Sequence, residues 1–108
     1  MNRKEYNKLI RDRIPEIIRD SGRKYEVIEM SEEEYLQALR VKLLEEAQEA
    51  FKADSQELVT ELADLFEVID ALIEVCSIAR ESVLEKQRIR KIERGGFTKK
   101  LKLLWADS

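Results

Sequence analysis

Apolar residues recur at helical spacing through the middle of the chain. Leu36, Leu39, Leu43, Leu44, Ala47, Ala50 and Phe51 follow one another at the period of a single helix face. Just ahead of them, Ser31 and Glu34 are spaced as a capping box, a helix-start signal. This predicts a helix that begins after Ser31 and ends near Ala53. Asp54 and Ser55 make a short polar break, with Ser55 suited to cap the next helix. Leu58, Leu62, Leu65, Phe66, Ile69, Leu72, Ile73 and Cys76 mark the buried stripe expected of that second helix. So short a connection makes the two helices antiparallel neighbours. A helix running unbroken from Ser55 to Glu93 would be unusually long, so a bend or break is predicted within residues 77–82. A further helix then reaches about Glu93.

The ends of the chain carry weaker patterns. Residues 6–10 read as extended or loop. Pro15 sits where a first helical turn accepts it, which predicts a short helix over residues 15–21 that Gly22 ends. Residues 24–30 alternate only in part and read as a short strand or an extended connector. Arg94, Gly95, Gly96 and Phe97 form a loop, and residues 98–105 read as extended. With no internal repeat and no linker, residues 1–108 are expected to form one all-α domain. Its architecture is an antiparallel helical bundle built on a two-helix hairpin, with short extended ends and completion by oligomerisation.

Composition sharpens this picture. Three Gly and one Pro leave little turn chemistry, so the elements must be few and long. Charged residues make up 40% of the chain, which means helices with wet outer faces. The single cysteine, Cys76, has no internal disulfide partner and fits a reducing compartment. No apolar run approaches the roughly 20 residues of a membrane span, and the opening Met1, Asn2, Arg3 and Lys4 does not lead into a signal peptide. A cytoplasmic protein that does not engage membranes is expected. The absence of histidine removes the commonest general base and transition-metal ligand. Any metal would be bound by oxygen, which favours Mg²⁺, Mn²⁺ or Ca²⁺. The net charge of -3 hides an asymmetry: residues 29–67 hold twelve acids against three bases, whereas residues 85–102 hold eight bases against two acids. An acidic middle with basic ends suits a metal centre that meets a polyphosphate, and it equally suits plain intramolecular neutralisation.

The acids of the middle region are not evenly spread. Glu46 and Glu49 are i,i+3 neighbours on a flank of the first long helix, with Lys42 on the same flank. Glu61 and Asp64 repeat that spacing on the second helix, on an edge continued by the apolar Val68, Ala71 and Val75. Such an edge should face protein. Antiparallel packing can bring both acid pairs to one place, where four carboxylates repel one another unless protonated or bridged by cations. A divalent ion resolves that conflict. Acids on helices are more often solvated surface, and Glu32, Glu33, Glu57, Glu67 and Glu74 are read that way.

Read together, these residues resemble a family pattern. Glu45, Glu46 and Glu49 form an EExxE element, and Glu61 and Asp64 an ExxD element. The chain resembles the MazG-like all-α nucleoside triphosphate pyrophosphohydrolases, a superfamily that includes dimeric dUTPases and phosphoribosyl-ATP pyrophosphohydrolase. Residues 6–18 (YNKLIRDRIPEII) look like the opening of a small bacterial, archaeal and phage branch. Residues 42–47 (KLLEEA), 61–64 (ELAD) and 94–97 (RGGF) look like its later landmarks, so the resemblance runs from about Tyr6 to Phe97. It implies hydrolysis of a nucleoside triphosphate between the α- and β-phosphates to a monophosphate and pyrophosphate, as a house-cleaning activity. It also implies a homodimer or homotetramer with helices of two subunits shaping the site. The extra segments that form a base pocket in larger relatives are not seen here.

On this reading Glu46, Glu49, Glu61 and Asp64 hold Mg²⁺, with Mn²⁺ an alternative, and the ion lowers the pKa of an attacking water. A carboxylate must then take the proton, and Glu45 or Glu49 is the candidate. Lys91 and Arg94 can face the charge of the leaving pyrophosphate, as can Lys8, Arg11 and Lys42. Two other readings stand beside this one: phosphoribosyl-ATP as substrate, for histidine biosynthesis, and a non-enzymatic helical module whose basic tail from Lys86 to Lys102 binds nucleic acid. The acidic middle and the lack of a recognition-helix signature oppose nucleic acid as a partner.

Overall fold

The computed structural model describes residues 3–108. Met1 and Asn2, where the reading of the chain's opening begins, lie outside the described residues. The described residues contain four α-helices and no strand: α1 Ile14–Asp20, α2 Glu32–Lys52, α3 Leu58–Val75 and α4 Arg80–Arg94. None of these helices is long and apolar enough to cross a membrane. The chain divides into two compact units, Met1–Cys76 with α1, α2 and α3, and Ser77–Ser108 with α4.

Local chemistry sets each boundary. α1 takes Pro15 in its first turn, where the missing N–H is not needed, and it closes through Gly22 at φ 80°. There the N–H groups of Gly22 and Arg23 turn back onto the carbonyls of Arg19 and Ile18. Residues 23–30 form no strand and connect α1 to α2. At the start of α2 the capping box is complete: the Ser31 hydroxyl accepts from the Glu34 N–H, and the Glu34 carboxylate accepts from the Ser31 N–H.

The link from α2 to α3 differs from expectation in its cap. Ser55 does not cap α3. The Asp54 carboxylate accepts the N–H groups of Gln56 at 3.0 Å and Glu57 at 2.9 Å, so the turn is tied down one residue earlier, and α3 starts at Leu58. Those hydrogen bonds favour the ionised form and hold the Asp54 carboxyl below its ordinary range. A carboxylate reaches two successive N–H groups that a hydroxyl serves less well. The break after α3 falls where the spacing places it: Val75 is the last helical residue, Ser77 has φ 55°, and α4 begins at Arg80. α4 ends at Arg94, with Gly95 at φ 82° as its stop. Beyond it a turn closes from the Lys100 N–H to the Phe97 carbonyl, and residues 101–108 form neither helix nor strand.

α2 packs on α3 to form the hairpin, with Leu39 and Val68 the buried apolar side chains among the described residues. Leu36, Leu43, Leu65, Ile69, Leu72 and Ile73 are half-buried along the same seam. The apolar stripes predicted from sequence are wider than this contact. Leu58, Leu62, Phe66 and Cys76, read as part of a buried stripe, are exposed, and so are Leu44, Ala47 and Phe51 of the α2 stripe; Phe51 is 90% exposed. One helix offers a partner helix only a narrow strip, so a stripe of this width is not covered by the hairpin alone. Truncating Leu39 to Ala should lower unfolding stability by roughly 3 kcal/mol in chemical denaturation, whereas Ser31→Ala should lower it by about 1 kcal/mol through the lost cap.

Candidate metal centre

The hairpin brings acids of both helices together. One carboxylate oxygen from each of Glu46, Glu61 and Asp64 lies within 4.8 Å of the other two, and all three side chains are half-buried. The helical period explains the placement. On α3, Glu61 and Asp64 share an edge with Val68, which is buried, and with Ala71 and Val75, which are half-buried, so the edge faces protein along its length. On α2, Glu46 stands one turn after Lys42, on the flank turned to α3. Glu49 is exposed and is not among the three acids whose oxygens converge, although its charge acts on Glu61.

Internal cations answer part of this charge. The Arg11 guanidinium donates from Nη2 to Asp64 Oδ1 at 2.8 Å. Lys42 Nζ lies 3.9 Å from Glu46 and 3.6 Å from Glu45, and Lys8 Nζ lies 3.7 Å from the same Glu45 oxygen. The segment ahead of α1 is thus tied to both helices, by Lys8 to α2 and by Arg11 to α3, with Leu9 and Ile10 half-buried between the two anchors. A shallow groove runs along Lys8, Leu9, Val41, Lys42 and Glu45 beside the cluster.

Glu61 has no cationic partner among the described residues. Loss of hydration first, and then the carboxylates of Asp64, Glu49, Glu46 and Glu57, push its carboxyl above the ordinary glutamate range. Chemically this is an all-oxygen donor set in which the acid without a partner cation is the one that resists ionisation. Such a set fits a hard divalent cation such as Mg²⁺ or Mn²⁺.

The remaining sequence-based candidates fall as follows. Glu45 is half-buried and engaged by two lysines. Lys91 and Arg94 lie in the last turn of α4, in the second unit, where both are exposed. Phe97 is 97% exposed. Arg11 and Arg13 pair with Asp64 and Glu16. Tyr35, which the sequence left without a role, is half-buried; burial first and then the charge of Asp12, followed by Glu74, Glu32 and Glu67, raises its hydroxyl pKa. The partners of the basic opening were also missed. Lys8 and Arg11 flank the apolar pair Leu9 and Ile10, a pattern of anchors around a seated dipeptide, but spacing in an irregular segment names no partner.

Comparison with known proteins leaves the site without an assigned activity. Over 53 residues, 49% of the chain, it is 47% identical to an uncharacterized protein of Mycolicibacterium smegmatis. The match covers 54% of that relative, so the chain spans about half the length of the curated protein it matches. No protein-family model matches the chain, and no solved structure matches it.

A carboxyl whose pKa is raised by folding binds its proton more tightly in the folded chain. Stability therefore falls as pH rises from the ordinary glutamate range through the raised value, and the penalty persists at neutral pH. Glu61→Gln should accordingly raise the thermal midpoint of the chelator-treated protein at pH 7, with the difference shrinking below about pH 4. Scanning calorimetry across pH measures both effects, and an unchanged or lowered midpoint at pH 7 would contradict this account of Glu61.

Proposed function

We propose that this chain is a MazG-like nucleotide pyrophosphohydrolase that hydrolyses a nucleoside triphosphate between the α- and β-phosphates in the presence of Mg²⁺. The observation that carries this reading is the convergence of Glu46, Glu61 and Asp64 from two helices onto one small volume. An EExxE element on α2 facing an ExxD element on α3 is the arrangement that the sequence resemblance leads one to expect. A cytoplasmic house-cleaning role on non-standard or surplus nucleotides goes with it.

Glu46, Glu61 and Asp64 hold the cation, with Glu49, one turn beyond Glu46, as the fourth acid. A divalent ion held by these acids would supply positive charge for the phosphate oxygens and a water of lowered pKa. Glu49 is exposed and would serve as the general base toward such a water. Glu45 serves differently: its contacts to Lys8 and Lys42 hold those two ammonium groups beside the cluster. Lys8, Lys42 and Arg11 meet the phosphate chain and balance charge that develops on the leaving pyrophosphate. The exposed Leu44, Phe51, Leu62 and Phe66 support a homo-oligomer, since large apolar side chains gathered on one hairpin are the usual material of a subunit interface.

A panel of nucleoside triphosphates assayed for pyrophosphate release, with Mg²⁺ and with chelator, tests the reading. At least one nucleotide should yield pyrophosphate and its monophosphate only when Mg²⁺ is present. Glu49→Gln should lower kcat about 100-fold, and Glu61→Gln should abolish the Mg²⁺ dependence together with the activity. Failure of every triphosphate to release pyrophosphate would overturn the assignment.

A further inference from the structure

The cation seated on the acidic cluster is one of the protein's own. Arg11 Nη2 donates to Asp64 at 2.8 Å, and its side chain is 58% exposed. Asp64 is also one of the three acids whose oxygens converge. A guanidinium and a divalent ion therefore compete for the same carboxylate. Two features make the guanidinium the one that can leave. Arg11 belongs to a segment without helix or strand, and that segment keeps separate anchors in Lys8 on Glu45 and in the half-buried Leu9 and Ile10. Its remaining N–H groups, at an exposed position, have the planar fork that grips phosphate oxygens two at a time.

Resting on the nucleotide reading above, we infer that Arg11 is a displaceable internal counter-ion. It neutralises Asp64 while the cation is absent and changes partner to the phosphate chain of the substrate when the cation binds. Cation and nucleotide binding are thereby coupled through one side chain. Without polyphosphate, Arg11 opposes the cation. With polyphosphate, it favours the ternary assembly, and by linkage each ligand strengthens the other. An arginine that only braced the fold would move both affinities in the same direction.

The opposed signs are the test. Mn²⁺ binding to the full chain is followed by the electron paramagnetic resonance of the free ion, and inorganic triphosphate binding at saturating Mn²⁺ is followed by calorimetry. Both are measured for the wild type, Arg11→Gln, Arg11→Lys and Glu61→Gln, with circular dichroism as the check on folding. Arg11→Gln should tighten Mn²⁺ several-fold in the absence of triphosphate and weaken triphosphate about ten-fold. Arg11→Lys keeps the charge but not the fork, so it should leave Mn²⁺ affinity near the wild-type value and still weaken triphosphate; it carries the test if the Gln variant does not fold. Mn²⁺ affinity that stays the same or falls in Arg11→Gln, or triphosphate affinity unmoved in both Arg11 variants, overturns the exchange while leaving a Glu61-dependent metal site intact. Wild-type protein that binds no Mn²⁺, or binds it as well after Glu61→Gln, removes the metal centre itself and this proposal with it.

Discussion

Like charges forced together are the constraint around which the first unit of this protein is organised. Glu46, Glu61 and Asp64 sit on the packed flanks of two helices that must meet to bury Leu39 and Val68, so the apolar seam and the acidic cluster form in one step. Folding the hairpin gathers negative charge whether or not anything is present to balance it. The molecule answers with a partial neutralisation: Arg11 on Asp64, Lys42 on Glu46 and Glu45, Lys8 on Glu45, and no cation on Glu61 among the described residues. Lost hydration first, and then that imbalance, raises the carboxyl of Glu61. A fully satisfied ion-pair network would have no need of a ligand, and a wholly unpaired one would oppose folding. The intermediate condition suits a site whose last charge is supplied from outside.

The same hairpin is under-covered on its apolar side. α2 and α3 each carry more hydrophobic surface than one partner helix can hide, and Leu44, Phe51, Leu62 and Phe66 are left open. The two facts share a cause. Each helix is asked to present three things around its circumference: a seam for its partner, an acidic flank for the cluster, and a further apolar face. Only the first two are used within this hairpin.

How much of this was legible in the sequence depends on whether the relevant interaction is local. The capping box of Ser31 and Glu34, the stop at Gly22, the break after α3 and the end of α4 at Gly95 are all decided by residues within a few positions of one another, and each follows from its own short stretch. The convergence of Glu46, Glu61 and Asp64 was legible because helical period and a short link together act as a ruler between two distant stretches. Asp54 was overlooked for Ser55 because both are good capping residues and only the turn geometry chooses between them. Burial of Leu62 and Phe66 was overestimated because periodicity reports that a face is apolar, not what lies against it. Arg11 on Asp64 is a pairing across 53 residues between an irregular segment and a helix, and no repeat or spacing encodes it.

On α3 the acids Glu61 and Asp64 and the buried Val68 lie along one continuous helix and are locked to a single phase. Because an α-helix advances about 100° per residue, one residue inserted between Asp64 and Val68 would swing the helix face beyond it by more than a quarter turn. Either Val68 would leave the seam or the acids would leave the cluster. The count of residues from Asp64 to Val68 thus behaves as a phase that insertions and deletions cannot shift without parting the acids from the seam.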